Sequence, residues 1–149
     1  DVVDCGCWSL DRVDYLEYTL AAVVCLASGD CERAILSCGN GFAMAMVANR
    51  FPGIRAAVCH DAYSARTSRE MGDANVAVFG SRVVAIEYAV ELAETWLTAE
   101  FRGVQDHRYV RRAEAIRLLD TLIVAPDWLS RLRSRTSPAT MAPPAAPTG

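Results

Sequence analysis

The chain has 149 residues, a mass of 16.2 kDa and a hydrophobic fraction of 52%, which fits one compact domain and excludes a disordered chain. A net charge of −3 and a pI near 5.3 argue against general nucleic-acid binding. No apolar run reaches the roughly 18 residues that a membrane span needs, so no membrane partner is expected. All fifteen basic residues are arginines, which excludes lysine-dependent Schiff-base chemistry.

The charge is unevenly placed along the chain. Residues 1–101 hold seven arginines and fourteen acidic residues, whereas residues 102–135 hold eight arginines and four acidic residues. A local basic segment on an acidic protein suits a small anionic ligand better than a polyanion.

Apolar runs and helical spacing alternate along the chain. Strands are predicted at residues 2–3, 34–37, 55–59 and 75–79. Helices are predicted at residues 14–28, 42–48, 62–70, 84–98 and 108–119. Repeated strand–helix units favour an α/β fold: a three-layer, Rossmann-like sandwich with a parallel sheet and a C-terminal helix.

The domain is predicted to span residues 1–120, followed by a C-terminal extension at 121–133. Arg131, Arg133 and Arg135 are interpreted as charges of this terminal region. Residues 134–149 are rich in proline and alanine and lack periodicity, so we predict a disordered tail.

The six cysteines could suggest a disulfide framework or a zinc site. They are Cys5, Cys7, Cys25, Cys31, Cys38 and Cys59. No CxxC pair occurs, no second pair has zinc-finger spacing, and the acidic start of the chain does not resemble a secretory signal. We therefore expect reduced thiols in a cytoplasmic protein, without a metal.

The segment Cys38-Gly39-Asn40-Gly41 follows a predicted buried strand and precedes a helix. Ligands of parallel α/β sheets bind at the carboxyl ends of the strands. The glycines let the backbone approach a ligand, and the helix start favours an anion and the thiolate form of Cys38. The alternative is that Cys38 is one more buried thiol and that the glycines only make a turn.

The surroundings of this loop are similar to a known family. The runs at residues 37–57, 59–66, 68–70, 73–76 and 79–84 resemble the ribose-5-phosphate isomerase B family, which includes the galactose-6-phosphate isomerase subunits. The resemblance covers about residues 1–120. It implies interconversion of an aldose phosphate and a ketose phosphate through a cis-enediolate, with Cys38 as the base and without a cofactor.

The resemblance also implies the other site residues. The anion hole is formed by the backbone amides of Gly39, Gly41, Phe42 and Ala43, while the Asn40 side chain contacts the sugar. The phosphate is bound by Arg82, Arg108 and Arg112, with Arg111 as the competitor if the register slips. Tyr15 and Gly72 are the remaining substrate-binding positions.

The chain departs from the family pattern at two important places. The usual first strand and helix, with an Asp-His pair, have no counterpart here, so the chain is expected to be a piece of a longer one. By resemblance that strand belongs in the middle of a sheet ordered 2-1-3-4-5. Met71 and Gly72 stand where the family usually has the ring-opening His and a substrate-binding Asn, and His60 is interpreted as structural.

These observations together predict isomerisation of ribose 5-phosphate to ribulose 5-phosphate by a homodimer, with a tetramer as the larger assembly to consider. An isomerase for another pentose or hexose phosphate would carry the same residues. Two further hypotheses stay open at this point: a sugar-phosphate-binding pseudoenzyme or subunit, and a structural dimerisation module.

Overall fold

The computed structural model describes residues 1–123 and 126–134, so the predicted tail lies outside the described residues apart from Ser134. The described part contains the strands β1 (Ala34–Cys38), β2 (Ala56–Val58) and β3 (Val76–Gly80). Its helices are α1 (Tyr15–Ser28), α2 (Phe42–Ala48), α3 (Ala62–Glu70), α4 (Ile86–Thr98), α5 (His107–Ile123) and α6 (Trp128–Arg133).

The three strands form a parallel sheet in the order β1-β3-β2. The order 2-1-3-4-5 is therefore wrong, because the last strand lies between the other two instead of at the end. The reason is that β3 is buried at all five residues, and a strand that is apolar on both faces belongs at the centre of a sheet.

Helices cover both faces of the sheet, which confirms the three-layer sandwich. Val76 and Val78 of β3 point into one core, and Ala77 and Phe79 into the other. The first core is closed by residues of α1, α2 and β1, namely Ala22, Val23, Leu36, Met44, Ala45 and Ala48. The second core is closed by residues from α3, α4 and the connecting loops, namely Cys59, Ala65, Val84, Leu92 and Trp96.

The helix ends follow from local chemistry. The Asp14 carboxylate accepts the N–H of Leu16 at 2.9 Å and caps α1, which ends at Gly29 with φ of 78°. Asp61 caps α3 by accepting the N–H of Ser64 at 2.8 Å. The predicted caps of α1 and α3 are confirmed, and all five predicted helices are present, although α4 begins at Ile86 and α5 extends to Ile123.

Helix α6 lies inside the segment that was interpreted only as an extension. The ring of Trp128 packs against Phe51 with centroids 5.7 Å apart, and Arg133 donates to the Ser28 hydroxyl at the end of α1. The C-terminal extension therefore joins the core on the side of α1 and α2.

The predicted strand at residues 2–3 is wrong: residues 1–14 form neither helix nor strand, and Val2 is 93% exposed. This segment is separated from β1 by a groove of about 1080 Å³, and β1 has no strand neighbour on that side in the described part. A strand needs an adjacent strand to pair its backbone N–H and C=O groups, and the groove keeps residues 2–3 away from β1. Among the described residues, no helix combines the length and the apolar character of a membrane span.

Candidate active site

The loop of residues 39–41 joins the end of β1 to the start of α2. It lies against the end of β3, because Cys38 pairs with Gly80 in the parallel register. Gly41 has φ of 81°, and a Cβ there would lie 3.2 Å from Nε2 of His60 and 3.3 Å from the backbone N of Gly80. Only glycine combines that backbone conformation with this close approach.

The thiol of Cys38 lies within the hydrogen-bonding pattern of the loop. The N–H of Gly41 donates to Cys38 Sγ at 3.3 Å, and the N–H of Phe42 donates to Oδ1 of Asn40 at 3.1 Å. The N–H groups of Gly39 and Asn40 donate to no other group within residues 1–123 and 126–134. Two predicted anion-hole amides are thus engaged inside the loop, and two adjacent amides are available to a ligand.

A cavity of about 520 Å³ opens beside Cys38, within the size range of small-molecule sites. It is lined by Arg12, Tyr15, Cys38, Gly39, Asn40, Ala43, Arg82 and Val83. The structure therefore brings together six of the predicted site residues, from the start of α1, from the end of β1 and the loop after it, from α2, and from the segment after β3.

Arg12 was missed by the sequence analysis. It lies three residues before Tyr15, inside the segment that carries the family resemblance, and this proximity was the available signal. Neither Arg12 nor Arg82 has an ion-pair or side-chain hydrogen-bond partner in the described part of the chain. Two exposed guanidinium groups without counter-charges at one cavity are suited to binding a doubly charged anion.

Arg108, Arg112 and Gly72 do not line this cavity. Arg108 lies at the start of α5 and donates to both carboxylate oxygens of Asp106: Nη2 to Oδ2 at 2.6 Å, and Nε to Oδ2 at 2.9 Å and to Oδ1 at 3.1 Å. The hydrogen bonds from Arg108 lower the pKa of Asp106 to about 2. Gly72 lies in the turn after α3.

His60 has a structural contact at the end of the sheet. Its Nε2 accepts the backbone N–H of Gly80 at 3.0 Å, and its ring meets Phe42 edge-on with centroids 6.2 Å apart. Because Nε2 accepts a hydrogen bond, the proton of the neutral ring is on Nδ1. His60 thus connects the segment after β2 to the end of β3, next to Gly41 of the Cys38 loop.

A sequence model of the ribose/galactose isomerase family matches residues 1–116 of this chain, 116 of its 149 residues. The chain belongs to this family. It is thus a member of a family of sugar-phosphate isomerases, and the Cys38 loop lies within the matched region.

Individual relatives agree with this assignment. Ribose-5-phosphate isomerase B of Escherichia coli (strain K12) is 42% identical over 120 residues, which cover 80% of this chain and 78% of the relative. D-erythrulose-4-phosphate isomerase of Pectobacterium atrosepticum is 48% identical over 86 residues, covering 58% of this chain and 55% of the relative.

The solved structures agree with the fold. The ribose-5-phosphate isomerase B of Clostridium thermocellum superposes with a TM-score of 0.75 at 39% identity, covering 80% of this chain and 78% of that chain. The α/β sandwich is therefore a feature of the isomerase family.

Proposed function

We propose that the chain interconverts ribose 5-phosphate and ribulose 5-phosphate through a cis-enediolate. The observation that carries this proposal is the convergence of a thiol, two unengaged backbone amides and two unpaired arginines on one cavity of about 520 Å³. A proton-transfer base, oxyanion donors and phosphate cations are the three components that the reaction needs.

Each component has a defined step. The Cys38 thiolate removes the proton from C2 of the open-chain aldose, and the carbonyl oxygen at C1 becomes an oxyanion. The N–H groups of Gly39 and Asn40 donate to that oxygen. The Cys38 thiol then returns the proton to C1, while the hydroxyl proton at O2 passes to O1, which leaves the ketose. The same steps run in reverse from the ketose.

The phosphate is bound by Arg82 and Arg12, which line the same cavity. Arg82 lies next to Gly39, since a Cβ at Gly39 would be 3.5 Å from the Arg82 Nε. Arg12, from the segment before α1, and Tyr15, the first residue of α1, also line the cavity. According to their names, the relatives act on four-carbon as well as five-carbon substrates. Ribose 5-phosphate is the first substrate to test, because the relative named for it matches 80% of this chain and the one named for erythrulose 4-phosphate matches 58%.

A homodimer completes the proposed phosphate site. Phe42 and Met46, one turn apart on α2, are 50% and 68% exposed, and Tyr63 on α3 is 74% exposed. Exposure of large apolar side chains is typical of a protein–protein interface. Arg108 and Arg112 lie outside the cavity of their own subunit, which fits a role in the site of a second copy.

The test is solvent deuterium exchange followed by NMR. With ribose 5-phosphate in D₂O, the active protein is expected to incorporate deuterium at C2 and to form ribulose 5-phosphate. Cys38→Ser should abolish both, whereas Cys59→Ser, at a buried cysteine in the second core, should retain them. Turnover by Cys38→Ser would exclude the thiol as the base.

The second candidate function is that of a family member that binds the sugar phosphate without converting it. One feature favours it: neither Met71 nor Gly72 can transfer a proton for ring opening. A binding-only protein predicts that ribose 5-phosphate raises the melting temperature without deuterium incorporation. Absence of both binding and exchange would contradict the isomerase and the binding-only protein alike.

A further inference from the structure

Three cysteines meet at the C-terminal end of α1. Cys5 Sγ lies 3.7 Å from Cys25 Sγ, and Cys31 lies in the turn that follows α1. The chain reverses tightly after α1: the N–H groups of Asp30 and Cys31 both donate to the carbonyl of Cys25, at 3.0 and 3.2 Å. The turn therefore fixes Cys31 beside Cys25, while Cys5 arrives from the irregular segment before α1.

The three thiols differ in access. Cys25 is 4% exposed, and burial, followed by contact with Cys5, raises the pKa of its thiol to about 11. Cys5 is half-buried, and all three cysteines line the groove of about 1080 Å³ beside β1. A small molecule in the groove reaches Cys5 before it reaches Cys25.

We propose that Cys5 and Cys25 form a thiol modification site that is oxidised to an intramolecular disulfide by a low-molecular-weight disulfide such as oxidised glutathione. This proposal does not depend on the isomerase activity. The two sulfurs must approach by about 1.7 Å to reach bonding distance, because a disulfide bond is about 2.05 Å long. Residues 1–14 contain neither helix nor strand, so the Cys5 side can make this movement.

A metal site at these cysteines is not supported by the geometry. Within the part of the chain that the structure describes, no group of three or more His, Cys, Asp or Glu side chains has an arrangement that could hold a metal ion. Two adjacent thiols with one accessible member are instead suited to disulfide exchange.

The reaction has two exchange steps. The Cys5 thiolate attacks one sulfur of oxidised glutathione, which forms a mixed disulfide and releases one glutathione thiolate. The Cys25 thiolate then attacks Cys5 Sγ and releases the second glutathione thiolate. The protons of the two protein thiols end on the two released glutathiones, so the protein loses two electrons and one glutathione disulfide is reduced.

The positions of the arginines allow the disulfide to be located by mapping of tryptic peptides. Trypsin cleaves after Arg12 and Arg33, so Cys5 and Cys7 lie in one peptide, residues 1–12, and Cys25 and Cys31 in another, residues 13–33. The full chain is incubated with oxidised glutathione, free thiols are alkylated, and the digest is analysed by mass spectrometry. We expect the two peptides to be linked and the number of free thiols to fall from six to four.

Single variants identify the pair. The link should persist in Cys7→Ser and Cys31→Ser, which serve as matched controls, and should disappear in Cys5→Ser. Oxidation of the wild-type chain should also raise the melting temperature by about 5 °C or more, because the bond restricts the unfolded chain. Absence of the linked peptides in the wild-type chain, or their loss in either control variant, would overturn the proposal.

The pH dependence separates this route from random oxidation. The rate of closure should still rise between pH 9.5 and 10.5, above the ordinary thiol pKa of about 8.5, because the fraction of Cys25 thiolate increases as the pH approaches its raised pKa of about 11. A rate that does not change over this range would contradict attack by Cys25.

Discussion

Gly80 lies so close to Asn40 that a Cβ at position 80 would be 2.8 Å from the Asn40 carbonyl carbon and 2.9 Å from its oxygen. The end of the central strand thus supports the loop that carries Cys38. No side chain fits between them without moving the loop, because the nearest atoms are these two backbone atoms of Asn40 and, at 2.9 Å, Nε2 of His60.

Gly80→Ala should therefore reduce the isomerase activity through displacement of the loop. A shift of about 1 Å at reacting groups can cost about 100-fold in rate, so we expect kcat/KM for ribose 5-phosphate to fall by at least about tenfold. The control is Gly29→Ala, where φ is 78° but no atom lies within 4 Å of the added Cβ. It should lose about 1 kcal/mol of stability and keep its activity; full activity of Gly80→Ala would contradict the supporting role.

The hydrogen bond from Gly80 to His60 predicts a stability effect. His60→Ala leaves the buried N–H of Gly80 without its acceptor, which should cost about 1–3 kcal/mol in the free energy of unfolding. His60→Gln places an amide oxygen in reach of the same N–H and should recover part of the loss. Urea unfolding measures both variants, and an equal loss in both would show that the acceptor is unimportant.

The fold could largely be predicted from local patterns, and the exceptions have a physical cause. Apolar runs and capping residues such as Asp14 and Asp61 define the elements within a few residues. The position of β3 depends on contacts with two separate helix layers, which no local pattern displays. The run at residues 2–3 looks like a strand by composition, but the structure offers it no adjacent strand.

The candidate site was predictable where the residues follow strands. Cys38 ends β1 and Arg82 lies two residues after β3; because these strands are parallel neighbours, the meeting of the two residues follows from topology. Arg12 reaches the same cavity from a segment without regular structure, and only the tertiary path of that segment shows it. Arg108 matched the family pattern, but its contact with Asp106 could not be foreseen from a pattern of arginines.

The ion pair between Arg108 and Asp106 predicts what happens when Arg108 is released from it. Asp106→Asn keeps an oxygen that can accept the N–H of Arg108 but removes the carboxylate that holds its guanidinium. If Arg108 binds the substrate phosphate, KM for ribose 5-phosphate should fall about threefold, a small change because exposed ion pairs are weak. Glu100→Gln removes an exposed acidic group that pairs with no arginine in the described part and is the control. An unchanged KM in Asp106→Asn would argue against Arg108 as a phosphate ligand.

The same pair predicts a change of stability in acid. The pKa of Asp106 is about 2 in the folded chain, below its ordinary value of 3.8, so the folded state retains the charge that the unfolded state loses first. Its contribution is present above about pH 4 and is lost as the pH falls to about 2. The melting temperatures of wild type and Asp106→Asn should therefore differ at pH 5 and converge towards pH 2. A difference that is the same at all these pH values would contradict the assignment.

Asp73 forms ion pairs with three arginines, of which Arg117, at 3.9 Å, is the most distant. Its carboxylate accepts Arg55 Nη2 at 2.8 Å and Arg69 Nη1 at 3.1 Å, and Arg69 is 7% exposed. Burial lowers the pKa of the Arg69 guanidinium, because it shields the charge from water. Removal of the Asp73 carboxylate would leave that buried charge without its acidic partner.

Asp73→Gly should therefore lower the free energy of unfolding by about 3 kcal/mol. Glycine is the informative substitution because Asp73 has φ of 48°, a conformation that glycine adopts without strain. Asp73→Asn keeps an oxygen acceptor and also tolerates this conformation, so its loss should be about half as large. Urea unfolding at neutral pH measures both variants. A loss below about 1 kcal/mol in Asp73→Gly would mean that Arg69 is sufficiently stabilised by its bond of 2.7 Å to the carbonyl oxygen of Ala74.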